Sequence, residues 1–304
     1  MGISHYIKEI GRGKDGARSL SREQAADLLG QVLDGAVTDL EVGAFCLAMR
    51  IKGETPQEMA GFLDATHQRL HRFPALPDNA ACTVVLPSYN GARKLPVLTP
   101  LLALLLAREG LSVLVHGTAT ESTRVLSSDV LLALNIPALK AVAPIEASSV
   151  VFAPTELLSP GLKRLLDVRR LVGLRNPAHS LVKLMSPCLG KALVVSSYTH
   201  PEYAISMAQT LVLMQANALL LRGTEGEVVA DARRIPPMDG YLHGQRMELQ
   251  QAQAGTLASL PNLPKAIDAA STAAYIESIL SGAEPVPAPI ARQVEHILHL
   301  TSQL

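Results

Sequence analysis

The segment Met49-Arg50-Ile51-Lys52-Gly53-Glu54-Thr55-Pro56-Gln57-Glu58 decides the fold of the N-terminal part of this chain. A helix that ends near Gly53 is followed by a turn into the next helix. Thr55 suits an N-cap, Pro56 suits the first helical position, and Glu58 lies in the first turn. The segment therefore predicts two consecutive helices joined by a tight turn.

The helical pattern extends around that segment from residue 19 to residue 72. Ser21 with Gln24 resembles a capping box, and Asp39 can cap the helix in between. Apolar residues follow these caps at helical spacing. The pattern predicts a helical N-terminal domain over residues 1–74.

Beyond the linker-like residues 73–79, short β-rich runs alternate with helical stretches. Such alternation is typical of a parallel sheet flanked by helices. We therefore predict an α/β fold: a small helical domain, then a larger α/β domain over residues 80–304 whose central sheet is mostly parallel. The β-rich runs are residues 83–86, 112–115, 150–152, 192–195 and 218–221.

The composition of the 304 residues bounds the possible functions, since 48% of them are hydrophobic and can form a sizeable core. The 27 basic and 27 acidic residues cancel, so an anion site must come from local clustering. The apolar run 97–107 is broken by Pro100 and is far shorter than the ~20 residues of a membrane span. With no signal-peptide pattern, we expect a cytoplasmic protein without membrane contact. Three widely spaced cysteines are expected to be reduced core thiols: Cys46, Cys82 and Cys188.

The stretch Pro87-Ser88-Tyr89-Asn90-Gly91-Ala92-Arg93-Lys94 follows the first β-rich run, where α/β enzymes often place a glycine-rich phosphate loop. Such a loop needs several glycines so that backbone N–H groups can approach the oxygens. This stretch has one glycine and two cations. It predicts anion contacts through side-chain charge.

Several motifs resemble those of anthranilate phosphoribosyltransferases and the related nucleoside phosphorylases, over nearly the whole chain. The resemblance implies a small helical domain, completed by part of residues 155–190, beside a larger α/β domain. It also implies a homodimer formed through the helical domain. The motifs are residues 21–25, 42–45, 49–58, 116–117, 127–131, 152–154 and 168–170, with Gly173 and Arg175.

The resemblance fails at the catalytic motifs. The phosphoribosyl-diphosphate loop of the family is Gly-Thr-Gly-Gly-Asp-Gly, whereas residues 87–92 here are Pro-Ser-Tyr-Asn-Gly-Ala. Pro87 lacks a donor N–H, and Tyr89 puts bulk where the diphosphate would approach the backbone. The sequence therefore predicts that the transferase machinery has degenerated, and no catalytic residue is assigned.

The magnesium ligands of the family are also replaced, because Val228 and Val229 stand where the resemblance places an adjacent Asp-Glu pair. Glu225, Glu227 and Asp231 are expected to be solvated loop carboxylates, the alternative being a magnesium site in a shifted register. No cofactor is expected, with magnesium required only if the protein is an enzyme.

A set of cations remains near the altered cleft, and Arg169 matches the arginine that meets the acceptor's carboxylate in the resembled enzymes. The loop 89–94, with residues 98–102, resembles the YbiB-type branch. Members of that branch keep the fold and bind single- and double-stranded DNA with little sequence preference. For each cation the alternative is a surface ion pair. The residues predicted to bind nucleic acid or phosphate are Tyr89, Asn90, Arg93, Lys94, Lys163, Arg164, Arg169, Arg170, Arg175 and Arg222.

Two aromatic rings near this loop have alternative roles. An exposed Tyr89 could stack on a base, and a buried one would fill the space of the diphosphate. His116 is predicted to be a core or turn histidine rather than a general base.

Three functions follow as hypotheses. The first is nonspecific nucleic-acid binding by a catalytically degenerate homodimer. The second is a phosphoribosyltransferase or phosphorylase that acts on an unidentified acceptor. The third is a sensor of small anions.

Overall fold

The computed structural model describes residues 2–13, 15–76, 82–121, 123–256 and 260–304. Its N-terminal unit contains the helices α1 (Ser4–Ile10), α2 (Arg22–Leu33), α3 (Asp39–Lys52) and α4 (Pro56–His67). Thr55 caps α4 and Glu58 lies in its first turn, as the sequence predicts, and Glu58 also closes a capping box. The cap of α3 is Thr38 rather than Asp39, because the Thr38 hydroxyl accepts from the Glu41 N–H while Asp39 is already the first helical residue.

Glu58 joins the turn between α3 and α4 to the rest of the helical unit. Its side chain is 0% exposed. One carboxylate oxygen accepts from the Leu20 N–H at 2.9 Å. The other accepts from Lys52 Nζ at 2.6 Å and from the Thr55 N–H at 2.9 Å. This one carboxylate therefore ties three segments of the helical unit together.

The α/β part is built on a seven-stranded sheet in the order β3-β2-β1-β4-β5-β6-β7. The first five strands pair in parallel and the last two are antiparallel, so the predicted mostly parallel sheet is confirmed. The strands are β1 (Thr83–Ser88), β2 (Ser112–Gly117), β3 (Val150–Pro154), β4 (Ala192–Tyr198), β5 (Ala218–Arg222), β6 (Met238–Leu242) and β7 (Gln245–Gln250).

The hairpin of β6 and β7 is the part of the sheet that the sequence does not predict. Its two turn residues, His243 and Gly244, both have a left-handed backbone, with φ of 49° and 78°. This conformation suits a tight two-residue hairpin. The strands themselves contain Asp, Gly and Gln rather than a run of β-branched residues, which hides them in the pattern.

Helices cover both faces of the sheet. One face packs against α5, α6, α11 and α12 in one core, and the other face shares a second core with α8, α9, α10 and the N-terminal helices. In that second core α8 contacts α2 and α3, while α9 and α10 contact α4. The remaining helices are α5 (Thr99–Arg108), α6 (Ser127–Ala133), α7 (Thr155–Leu158), α8 (Pro160–Val172), α9 (Ala178–Leu181), α10 (Pro201–Leu213), α11 (Ala269–Leu280) and α12 (Ala288–Thr301).

Among the described residues, no helix combines the length and the apolarity needed to cross a lipid bilayer. The three cysteines are not bonded to one another; Cys46 and Cys82 are buried, and Cys188 is partly buried. Burial raises the pKa of each thiol to about 12. They are therefore core thiols, as predicted.

Candidate anion site

The candidate site lies at the carboxyl ends of β1 and β5. The chain leaves β1 into residues 89–98 and leaves β5 into residues 223–229. The connection after β1 runs to β2 on one side, whereas β4 lies on the other side of β1. In an open α/β sheet, such a change in strand order makes a crevice in which ligands bind.

Glu227 fills this crevice with its side chain. It is 2% exposed, so its interpretation as a solvated loop carboxylate is wrong. One carboxylate oxygen accepts from the backbone N–H groups of Asn90 and Gly91, both at 2.8 Å. The other accepts from Ser88 Oγ at 2.5 Å and Thr99 Oγ1 at 3.0 Å, with Ser127 Oγ at 3.5 Å. We call this set of donors the anion cradle.

Glu225 occupies a second group of donors on the same stretch of backbone. Its Oε2 accepts from the N–H groups of Arg93, Lys94 and Leu95 at 2.9, 3.0 and 3.2 Å. We call these three N–H groups the outer nest. Burial opposes ionisation of Glu225, but these hydrogen bonds lower its pKa below the usual value. Glu225 is therefore held as a carboxylate, and it is not a freely solvated side chain either.

Gly226 allows the two glutamates to reach their donors. Its φ is +88°, and a Cβ at this position would lie 1.7 Å from Asn90 Nδ2. Its carbonyl oxygen accepts from Lys183 Nζ at 2.7 Å and from Ser197 Oγ at 2.8 Å. The loop is thus fixed between the β1 segment on one side and Lys183 on the other.

Tyr89 and Asn90 are buried, whereas residues that bind nucleic acid have to be exposed. Tyr89 is 3% exposed and Asn90 6%, so of the two alternatives for Tyr89 the buried one is observed, and its ring is not available to stack on a base. The Tyr89 hydroxyl donates to His116 Nδ1 at 2.8 Å and accepts from Thr155 Oγ1 at 3.0 Å. Asn90 donates through Nδ2 to the Glu225 carbonyl at 3.0 Å. Both side chains hydrogen-bond to neighbouring parts of the site, and neither is accessible to a nucleic acid.

His116 is a core residue, as predicted. It is 0% exposed, and burial lowers its pKa to about 3. The ring is therefore neutral and accepts the Tyr89 hydrogen bond. Its contacts place it beneath the loop that follows β1.

The positions expected to hold magnesium in the enzymes do not suit a metal ion. Val228 and Val229 are 0% and 1% exposed and belong to the apolar core. Of the nearby carboxylates, Glu225 and Glu227 are already bound by N–H and hydroxyl groups, and Asp231 pairs with Arg233 at 2.7 Å. Within the described ranges no cluster of three His, Cys, Asp or Glu side chains could hold a metal. The residues present do not fit a magnesium-bound diphosphate.

The structure brings three of the predicted cations to the rim of the site. Arg93 and Lys94 are exposed, and their backbone N–H groups bind Glu225. Arg222 is exposed at the end of β5, three residues before Glu225. None of the three has a carboxylate at ion-pair distance in the described part of the chain. These side chains are free to meet an external anion.

The predicted cations on α8 have other partners. Arg169 pairs with Glu121, and Lys163 pairs with Asp167. Arg164 donates to the Leu33 carbonyl at 3.1 Å. Arg170 donates to the Ala119 carbonyl at 3.1 Å and lies 3.5 Å from Asp167. For Arg169 and Lys163 the ion-pair alternative is therefore the observed one, and α8 does not present a continuous basic surface.

Arg175 lies at a different place, in a cavity of about 450 Å³ between the N-terminal helices and the α/β part. Lys183 and His179 also line this cavity, and burial lowers their pKa values to about 8 and about 4. The Nε2 atom of His179 is buried and has no hydrogen-bond partner among the described residues. The cavity therefore combines a half-buried arginine with polar groups that a ligand could satisfy.

The sequence analysis missed the roles of Glu227, Glu225 and Lys183. Each contacts residues far away along the chain, such as Ser88 for Glu227 and Gly226 for Lys183. A lysine within the apolar stretch 181–185 is the one local signal, because an unpaired cation is rarely buried.

The fold and the helical unit define the class of this protein. Residues 4–69 match the helical bundle domain of a glycosyl transferase family. The crystal structure of anthranilate phosphoribosyltransferase (TrpD) from Thermus thermophilus superposes with a TM-score of 0.68 at 20% identity, covering 95% of this chain and 85% of that one. The chain belongs to the anthranilate phosphoribosyltransferase-like family.

Two sequence relatives refine this assignment. The uncharacterized protein YbiB of Escherichia coli K12 is 40% identical over 308 residues, covering 100% of this chain and 95% of that protein. The anthranilate phosphoribosyltransferase of Methanosarcina acetivorans is 32% identical over 203 residues, covering 65% of this chain and 53% of that enzyme. The similarity to YbiB thus extends over the full chain, and the similarity to this enzyme over part of it.

Proposed function

We propose that this protein binds nucleic acid without sequence preference in the cytoplasm and does not transfer phosphoribosyl groups. The observation that carries the proposal is the set of three exposed cations, Arg93, Lys94 and Arg222, at the rim of a crevice that is closed by Glu225 and Glu227. Guanidinium and ammonium groups attract the phosphates of a polymer without reading its bases. The resemblance to the YbiB-type branch supports the same function.

The closed crevice argues against the transferase reaction. A phosphoribosyl-diphosphate substrate would need the backbone N–H groups that Glu225 and Glu227 already use. It would also need hard ligands for magnesium at positions 228 and 229, which are buried valines. Side-chain cations outside the crevice remain available to a polymer.

The test is fluorescence anisotropy of a labelled single-stranded oligonucleotide over a salt series. We expect Arg93→Ala with Lys94→Ala to weaken binding of all sequences alike. The slope of log affinity against log salt should fall in magnitude by about 1.4, because each phosphate contact to a single strand contributes roughly 0.7. A matched control is Arg108→Ala with Lys191→Ala, two exposed cations near the amino-terminal ends of the strands, opposite the carboxyl ends where the site lies. Equal effects of the two double variants would argue against the rim, and no binding at low salt would overturn the function.

The second candidate is a phosphoribosyltransferase that acts on an unidentified acceptor. The cavity beside Arg175 favours it, because 450 Å³ is enough for a small anionic acceptor. The enzyme names of several relatives favour it more directly than they favour nucleic-acid binding. Magnesium-dependent consumption of phosphoribosyl diphosphate that is lost in Arg169→Ala would support this candidate. Its absence over a screen of aromatic and heterocyclic acceptors would count against it.

We also propose a homodimer formed through the helical unit. Leu40, Leu47 and Ile51 are 83%, 46% and 55% exposed and recur at helical spacing along α3. An apolar stripe of this kind favours burial against a second copy of the same helix. Light scattering should give a dimer for the wild type and a monomer for Leu47→Glu. The control Leu132→Glu alters an exposed leucine on α6, outside the helical unit, and should leave the dimer intact.

A further inference from the structure

The cavity of about 450 Å³ between the helical unit and the α/β part has no role in the nucleic-acid proposal. Among the described residues, its lining includes neither the segment 89–98 that follows β1 nor Arg169, which matches the acceptor-binding arginine of the resembled enzymes. The cavity is therefore a separate place from the crevice that Glu225 and Glu227 close. Its own lining residues have to show what it can bind.

Lys183 presents a buried amine at the wall of this cavity. The residue is 8% exposed, and its Nζ donates to the Gly226 carbonyl at 2.7 Å, with Ser197 Oγ and the Ser197 carbonyl at 3.4 Å. Glu54 and Glu202 also line the cavity, but in the described part of the chain no carboxylate lies at ion-pair distance from Nζ. A neutral amine can therefore keep its hydrogen bond to Gly226 without the loss of an ion pair, and its lone pair is then available to a ligand.

The buried position of Lys183 also favours the neutral amine. Burial lowers the pKa of Lys183 from 10.5 to about 8, a shift that the charge of Glu227 opposes and that of Arg175 increases. At about pH 8 roughly half of the Lys183 side chains are neutral, whereas less than about 1% of lysines with an ordinary pKa are. Because a neutral lysine amine attacks carbonyl carbon, Lys183 should react with an aldehyde that enters the cavity before exposed lysines do.

His179 and Arg175 supply the other groups that such a reaction needs. His179 precedes Lys183 by four residues, a spacing that puts two side chains on the same face of a helical turn. Its Nδ1 accepts from the Asn176 N–H at 3.3 Å, so in this tautomer Nε2 carries a proton, and Nε2 is buried without a partner among the described residues. The Arg175 guanidinium is half-buried and has no ion pair in the described ranges. Its charge affects the pKa values of both Lys183 and His179, so the three groups lie close together.

We infer that Lys183 forms an imine with small aldehydes that carry a carboxylate or phosphate group. Arg175 binds the anionic group, and the His179 Nε2–H donates a hydrogen bond to the aldehyde oxygen. The lone pair of Lys183 Nζ attacks the carbonyl carbon to form a C–N bond, and the oxygen takes a proton from the nitrogen. Loss of this hydroxyl group with the remaining N–H proton, as water, leaves a C=N bond, so that no oxidant or reductant is needed. The inference does not depend on nucleic-acid binding or on phosphoribosyl transfer.

Reductive trapping tests the site. Folded wild-type protein is incubated at about pH 8 with glyoxylate or with glycolaldehyde phosphate, reduced with sodium cyanoborohydride and mapped by peptide mass spectrometry. We expect saturable modification of one lysine per chain, Lys183, and the two probes distinguish a carboxylate from a phosphate ligand. Propionaldehyde, which has no anionic group, should modify Lys183 far less. Arg175→Gln should raise the half-saturating concentration by about 10-fold or more, because one charge-assisted hydrogen bond is lost. The control Arg108→Gln alters an exposed arginine outside the cavity and should leave it unchanged.

Two results would overturn the inference. The first is a folded wild-type protein in which exposed lysines such as Lys191 are modified and Lys183 is not. The second is equal modification of Lys183 by glyoxylate and propionaldehyde, unaffected by Arg175→Gln. Lys183→Met should abolish the saturable adduct, provided that circular dichroism shows a folded protein, because this variant also loses the hydrogen bond to Gly226. If it does not fold, the peptide maps of the wild type and of Arg175→Gln decide the question.

Discussion

Two buried glutamates, one in each part of the molecule, show how differently the same side chain can be held. Glu58 in the helical unit is 0% exposed and pairs with Lys52, whose side chain is only 7% exposed. Glu227 in the α/β part is 2% exposed and is held by N–H and hydroxyl groups, with no ion-pair partner among the described residues. The first carboxylate neutralises a buried cation, and the second satisfies buried N–H and hydroxyl donors.

The largest effect should follow from neutralising the carboxylate that has a buried cation. Glu58→Gln leaves the Lys52 ammonium buried without a charged partner, with the Gly53 carbonyl at 3.0 Å as its remaining acceptor, which costs about 3–5 kcal/mol of unfolding free energy. Urea unfolding measures this loss. The control Lys52→Met with Glu58→Gln removes the unpaired charge and should restore part of the stability. A double variant as unstable as the single one would contradict the role given to Lys52.

Glu227→Gln should cost less, about 1.5–3 kcal/mol, because hydrogen bonds to a charged group are weakened, while the nearest cation that senses its charge, the buried Lys183, keeps its hydrogen bond to the Gly226 carbonyl. The same urea experiment compares it directly with Glu58→Gln. A loss larger than that of Glu58→Gln would contradict the comparison, since it would mean that the buried Lys183 depends on Glu227 more strongly than Lys52 depends on Glu58.

Lowering the pH should decrease the unfolding free energy through His116, a residue of the α/β part that contacts Tyr89. Burial lowers the pKa of His116 to about 3, so below about pH 6.5 the unfolded chain binds a proton that the folded chain does not. Stability therefore falls as the pH falls, by about 1.4 kcal/mol per pH unit from this group. Urea unfolding at pH 7 and pH 5 should give a smaller difference for His116→Gln than for the wild type. An unchanged difference would show that His116 is not the group that titrates.

The smallest effect on stability is expected from substitutions of the exposed cations at the rim of the crevice. Arg93→Ala with Lys94→Ala should change the unfolding free energy by less than about 0.5 kcal/mol, because both side chains are exposed and their N–H groups, which bind Glu225, are unchanged. Thermal unfolding checks this. A larger loss would mean that these side chains support the fold, and reduced oligonucleotide affinity would then not identify a binding surface.

The same contrast explains how much of the molecule could be predicted from its sequence. Thr55 and Glu58 lie three positions apart at the start of α4, and strands β1 to β5 are short β-rich runs, so local patterns predict these elements. The contacts of Glu227 reach Ser88, which lies 139 positions away along the chain. No local sequence pattern predicts such a contact. For this reason the sequence analysis expects Glu227 to be solvated and leaves open whether Tyr89 is exposed or buried.

The buried Val228 and Val229 limit how this crevice could be redesigned for transferase chemistry. A metal site would need carboxylates at Val228 and Val229, in an apolar core where the Val228 carbonyl and the Ala230 N–H are bonded to the fully buried Gln293. Burying two new charges there would cost several kcal/mol each unless that packing were redesigned. A metal-bound substrate would therefore require a redesigned core behind the crevice as well as a loop whose two glutamates no longer occupy the N–H groups.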